Sequence, residues 1–156
     1  MISTELCAVS FERYSRVKSL INHLAFETMP ITEINHYNLR ASRDLMHVLK
    51  DFYCDIVGLK VGPRPGFTSY GFWLYIGDND ILHLSEYKGE SEPALNVNST
   101  FDHVSFTCTD MPAMEAHLKA HHIPYTTRDL PIIKVKQINF KDPVGNGIEL
   151  NFNLRD

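Results

Sequence analysis

Three histidines and one glutamate form two matched sets in this chain, and their chemistry is that of metal ligands. Residues 34–40 read Ile-Asn-His-Tyr-Asn-Leu-Arg, and residues 101–107 read Phe-Asp-His-Val-Ser-Phe-Thr. Each places a polar residue and then a histidine, His36 or His103, in an alternation of apolar and polar side chains, the mark of a half-buried strand. A second strand follows in each half, Asp80-Ile81-Leu82-His83-Leu84-Ser85 and Gly147-Ile148-Glu149-Leu150-Asn151. The two histidines are 67 positions apart, and His83 and Glu149 are 66 apart, so the halves match at both ends. Imidazole and carboxylate together bind divalent ions such as iron, manganese, zinc, nickel or cobalt. Two histidines and one carboxylate on one side of an ion leave positions open for substrate and oxygen.

Residues two apart in a strand share a face. His36 therefore goes with Asn38 and Arg40, His103 with Ser105 and Thr107, His83 with Ser85, and Glu149 with Asn151. If the two strand sets face one another across a pseudo-twofold axis, His36, His83, His103 and Glu149 converge. Taken singly, each histidine reads as a hydrogen-bonded core or edge residue. Glu149 alone reads as a strand-end charge, although Ile148 and Leu150 flank it and burial would demand a partner. The repeat is what joins the four. His23, His47, His117, His121 and His122 fall in helical stretches or at their ends and receive no role.

The elements that must hold these residues also repeat. After the first strand Ser42 is placed as a helix N-cap, followed by an apolar stripe of Leu45, Val48, Leu49, Phe52, Tyr53 and Ile56, with Gly58 as the stop. In the second half Asp110 caps, Pro112 suits the first turn, and Met114 and Leu118 continue the stripe. Strands are expected over Gly71–Ile76 and Lys134–Phe140. The turns Gly77-Asp78-Asn79-Asp80 and Asp142-Pro143-Val144-Gly145-Asn146-Gly147 lead into the His83 and Glu149 strands. The expected organisation is an N-terminal helical extension over 1–31 and one domain over 32–156. That domain comprises module one (32–88), a linker (89–99) and module two (100–154). Within the extension Phe11, Tyr14, Val17, Leu20, Ile21 and Leu24 recur at helical spacing, as for a helix capping the sheet, a dimer contact or a site lid.

The chain has 156 residues and a mass of 17.9 kDa, with 44% hydrophobic and 22% charged residues, which excludes wholesale disorder. A net charge of −4 without any block of like charge gives no basic footprint for a nucleic acid. No apolar run approaches the roughly 20 residues that span a bilayer. The early Glu5 does not suit a secretion signal. Cys7, Cys54 and Cys108 are odd in number and form no Cys-x-x-Cys pair, as expected of reduced thiols in the cytoplasm.

The paired strand–helix–strands halves resemble the vicinal oxygen chelate superfamily. The Asn35-His36 and Asp102-His103 starts do so too, as does the ending Lys141-Asp142-Pro143-Val144-Gly145-Asn146-Gly147-Ile148-Glu149-Leu150. This superfamily includes glyoxalase I, bleomycin and fosfomycin resistance proteins, methylmalonyl-CoA epimerase and the extradiol dioxygenases. The resemblance covers about residues 32–154. It implies an α+β fold of two βαβββ modules in a pseudo-twofold repeat, forming a curved mixed sheet around one divalent ion. It carries His36, His103 and Glu149 onto ligand positions and His83 onto a position that is a ligand in some members and an acid–base group in extradiol enzymes. Where those enzymes carry a tyrosine about ten residues before the glutamate, this chain has Asn139-Phe140.

The implied function is a metal-dependent enzyme that chelates neighbouring oxygens of a small substrate. A dioxygenase-type reaction on a catechol-like diol comes first, with His83 and Glu149 as catalytic groups. A glyoxalase- or epimerase-type lyase or isomerase is the alternative, and a non-catalytic small-molecule binding or resistance protein is a third. Asn38, Arg40 and Ser105, on the ligand faces, and Trp73, in the aromatic stretch Phe67–Tyr75, are candidate substrate contacts. The expected partners are a small molecule and a second copy of the chain, with no nucleic acid or membrane. The site then lies either within one chain or between two.

Overall fold

The computed structural model describes residues 33–89 and 100–154; the expected N-terminal helix and the linker beyond Gly89 lie outside the described residues. Asn35–Asp156 forms one compact unit. Module one contains β1 (Tyr37–Ala41), α1 (Arg43–Phe52) with a π-helical turn (Tyr53–Val57), β2 (Lys60–Val61), β3 (Gly71–Ile76) and β4 (Asn79–Glu86). Module two contains β5 (His103–Cys108), α2 (Met111–Ala120), β6 (Thr126–Leu130), β7 (Val135–Lys141) and β8 (Gly147–Asn153).

Each module builds a four-stranded mixed sheet of the same topology, β1-β4-β3-β2 and β5-β8-β7-β6. The first strand of each runs parallel to the last, and the remaining pairs are antiparallel. A parallel pair needs a long crossover, and the helix supplies it. The register repeats residue by residue. His83 is flanked by Asn38 and Trp73, and Glu149 by Ser105 and Asn139.

Several boundaries differ from the sequence expectation. Pairing of the first strand begins at Tyr37 opposite Leu82, so His36 stands just before the strand. Lys134 has φ 57°, outside the extended region, which delays β7 to Val135. The outermost strands, β2 and β6, are mostly exposed, so apolar alternation does not reveal them. In α1 the buried residues are Met46 and Leu49, continued by Tyr53 and Ile56 in the π-helical turn, whereas Val48 is half exposed. Positions 46, 49, 53 and 56 lie along one helical face, and residue 48 points about 200° away from residue 46. Ser42 occupies the N-cap without a side-chain bond, while Asp110 does cap α2, its Oδ1 accepting from the Ala113 N–H at 3.0 Å. Gly58 at φ 91° ends the π-helical turn in the left-handed region, where glycine carries no Cβ penalty.

One apolar core joins the modules. Leu74, Leu82, Leu84, Met46, Leu49 and Tyr53 fill module one, continuous with Ile138, Ile148, Leu150 and Leu118 of module two. Full burial of each aliphatic side chain contributes roughly 1.5–3 kcal/mol. Phe52 packs on Phe140 at 6.3 Å between ring centroids. His117 Nε2–H donates to the Asp55 carbonyl at 2.9 Å, and the Tyr53 hydroxyl donates to Asp142 Oδ2 at 3.0 Å. Among the described residues no helix is long and apolar enough to cross a membrane, and Cys54 and Cys108 are unpaired thiols.

Burial raises the ionisation of Tyr53 and Tyr37 far above the ordinary tyrosine value of 10.0, with the Asp142 charge adding to it. Because the folded state keeps both phenols protonated, their contribution is complete below pH 10 and is lost as pH rises above it, where only the unfolded chain ionises. Each such tyrosine adds about 1.4 kcal/mol per pH unit to the alkaline loss of stability. Urea unfolding at pH 9 and pH 11 should therefore give a shallower pH dependence for Tyr53→Phe than for the native chain; identical slopes would refute the assignment.

Candidate functional site

The polar face of module two is centred on Glu149, which is 9% exposed. A carboxylate this buried needs donors. Its Oε1 accepts from Ser105 Oγ at 2.9 Å and from Asn151 Nδ2 at 2.9 Å. Asn151 also hydrogen-bonds Ser105, and its Oδ1 accepts from Gln137 Nε2 at 3.0 Å. Among the described residues no lysine or arginine pairs with Glu149, and its nearest cationic candidate is His103, with Nε2 3.8 Å from Oε1. The opposite side of that imidazole is fixed, because Nδ1–H donates to Asp102 Oδ2 at 2.7 Å. Holding a histidine by one nitrogen sets its tautomer and leaves the lone pair of the other outward.

The same device recurs in module one, where His36 Nδ1–H donates to Asn35 Oδ1 at 2.7 Å. His83, 8% exposed, lies between two rings. The Trp73 indole stacks on one face at 4.1 Å and 3°, and the His36 imidazole on the other at 3.8 Å and 21°. His83 Nε2–H donates to Asp80 Oδ2 at 2.8 Å, and that bond holds the Asp80 carboxyl below its usual range. Asn38 Nδ2 donates to Ser85 Oγ at 2.7 Å, the counterpart of the Asn151–Ser105 bond with the residue types exchanged.

The structure thus gathers the four expected ligands as two pairs, His36 with His83 and His103 with Glu149. Among the described residues no three His, Cys, Asp or Glu side chains are grouped so as to hold a metal ion. Of the candidate substrate contacts, Asn38 and Ser105 are engaged within their own faces, Trp73 is the stacking partner of His83, and Arg40 is exposed without an ion pair among the described residues. Sequence reasoning missed the roles of Asn35, Asp80, Asp102 and the Gln137–Asn151 pair. The Asx-His dipeptide at both repeats was the available signal for two of them.

Two local devices position this site. Asp142 closes the β7–β8 turn: Oδ1 accepts from the Val144 and Asn146 N–H groups at 3.0 and 2.8 Å, and Oδ2 from Asn146 Nδ2 at 2.9 Å. Gly147 lets β5 approach, since a Cβ there would stand 2.3 Å from the Asp102 carbonyl oxygen and 2.9 Å from His103 Cβ. Beside them opens a cavity of about 600 Å³ lined by Asp102, His103, Tyr125, Asn139, Lys141 and Gly147 among others.

The fold is that of solved glyoxalase/bleomycin resistance protein/dioxygenase domains. A domain of that description from a Frankia species superimposes with a TM-score of 0.63 at 19% identity, covering 79% of this chain and 93% of that one. Lactoylglutathione lyase from Agrobacterium tumefaciens gives 0.57 at 21% identity, covering 80% and 96%. An antibiotic-binding protein from a Streptomyces species gives 0.55 at 22%, covering 80% and 98%. No family model and no curated protein sequence matches the chain.

Gly147→Ala is expected to pry β5 from β8 at the His103 end and destabilise the fold by about 1–3 kcal/mol. Gly66→Ala, which meets open space, should be near neutral. Chemical denaturation of the two variants distinguishes them, and equal stability would show that the close approach is not a constraint.

Proposed function

We propose that this chain is a divalent-metal enzyme acting on a small molecule with two neighbouring oxygens, by a dioxygenase-type reaction on a catechol-like diol. The observation that carries this reading is the engagement of His83: its Nε2–H is bonded to Asp80 and its ring is enclosed by Trp73 and His36. With His83 outside the ligand set, His36, His103 and Glu149 remain, a two-histidine, one-carboxylate combination that suits iron or manganese. The donors fit such an ion, because Asn35 and Asp102 each hold an Nδ1–H and leave Nε2 available. When bound, the ion supplies Lewis acidity that stabilises negative charge on adjacent oxygens. Ser105 and Asn151 orient the Glu149 carboxylate. His83, with Nε2–H committed to Asp80, takes a substrate proton at Nδ1.

The site is read as composite. Because His36 and His103 belong to pairs that do not merge within the described chain, module one of one copy and module two of a second complete the set in a homodimer. A second reading follows from Glu149, buried beside His103: a glyoxalase-type isomerisation with Glu149 moving the proton on a carbonyl substrate, using nickel, zinc or cobalt. The fold shared with lactoylglutathione lyase supports it.

Elemental analysis of protein purified anaerobically without a histidine tag should find near-stoichiometric metal, lost in His103→Ala and Glu149→Ala. Mixing unfolded and refolded His36→Ala with His103→Ala should restore about a quarter of the native sites, since half of randomly formed dimers carry one intact site. No restoration would end the composite reading. Iron or manganese with oxygen uptake on diols supports the dioxygenase assignment. Solvent deuterium exchange on thiol hemiacetals without oxygen uptake would replace it with the isomerase, and protein metal-free after reconstitution would replace both with a binding protein.

A further inference from the structure

We infer that the module-two cavity holds an organic monoanion, its carboxylate on Lys141 and its apolar body against the aromatic wall. Lys141, Gly147 and His103 lie in one row across three adjacent strands, because Lys141 pairs with Gly147 and Gly147 with His103. Neighbouring strands are about 4.8 Å apart, which puts the Lys141 and His103 backbones about 10 Å apart. The residue between them has no side chain, and the close approach of Asp102 keeps it so. The cavity floor is therefore bare backbone with an ammonium at one end and an imidazole at the other.

The polar groups around that floor ask for an acceptor. Lys141 is exposed and makes no ion pair among the described residues, in a chain whose net charge is −4. Asp102, the nearby carboxylate, is committed to His103. A single ammonium suits a monoanion better than a doubly charged phosphate.

The body of the ligand meets Phe101, Pro124 and Tyr125. Tyr125 is a fixed wall, because its hydroxyl donates to Glu115 Oε1 at 3.1 Å. A volume of about 600 Å³ lies within the range of small-molecule sites. This deepens the proposed function and rests on it in placing the reacting end of the substrate beside His103; the anion hook itself operates without metal.

The test is calorimetric titration of the metal-free full chain with 3-phenylpropionate and with its neutral analogue 3-phenylpropan-1-ol. The acid should bind about tenfold or more tightly than the alcohol. Lys141→Met should bring the acid to the level of the alcohol, and Lys141→Arg should retain the preference. Acid binding should also shift the Tyr125 ring resonances. Equal affinities, an unaffected Lys141→Met variant, or no binding of either probe would overturn the inference. Metal content measured on the same variants separates the two readings. Lys141→Met that keeps its metal but loses the acid supports both, and a native chain that binds the acid but no metal removes only the metalloenzyme.

Discussion

The Asp142 carboxylate is the interaction on which the arrangement depends. It is 5% exposed and receives four donors: two backbone N–H groups and the Asn146 amide within its own turn, and the Tyr53 hydroxyl from the other module. The first three fix the β7–β8 hairpin, whose register decides which face Glu149 occupies. A slip by one residue would turn Glu149 into the core and Leu150 onto the polar face. The fourth anchors the crossover helix of module one to the strand end of module two. One side chain thus sets both the orientation of a candidate ligand and the contact between repeats.

The two modules share a backbone and use it differently. The position beside the last-strand residue is Trp73 in one and Asn139 in the other. Module one accordingly builds a stack of rings around His83, while module two builds a network of amides and a hydroxyl around Glu149. A stack is rigid and nearly dry; an amide network is directional and polar. Module one thus presents an aromatic wall and module two a hydrogen-bonding one.

Much of the fold was legible because the repeat carries redundant information. Gly71–Ile76 and the helix stop at Gly58 follow from local signals: a bounded apolar run and a glycine after a stripe. The edge strands β2 and β6 were counted by the βαβββ resemblance but not located, because an exposed strand has little apolar alternation. Met46 was missed in favour of Val48 because both are apolar and only the helical phase separates them. At the site, the four ligand-type residues were visible as types at matched offsets. Their grouping into pairs was not, since it depends on how sheets pack in space. Nor was the Asp80 bond to His83, which depends on where β4 begins.

The stacking of Trp73 on His83 has a practical side, because Trp73 is the only tryptophan in the chain. Its fluorescence is therefore an unlabelled optical reporter of the His36–His83 pair. An open-shell ion close to that stack would quench the emission, whereas closed-shell zinc would leave it bright. Quenching by an added open-shell ion would therefore report its arrival beside the His36–His83 pair.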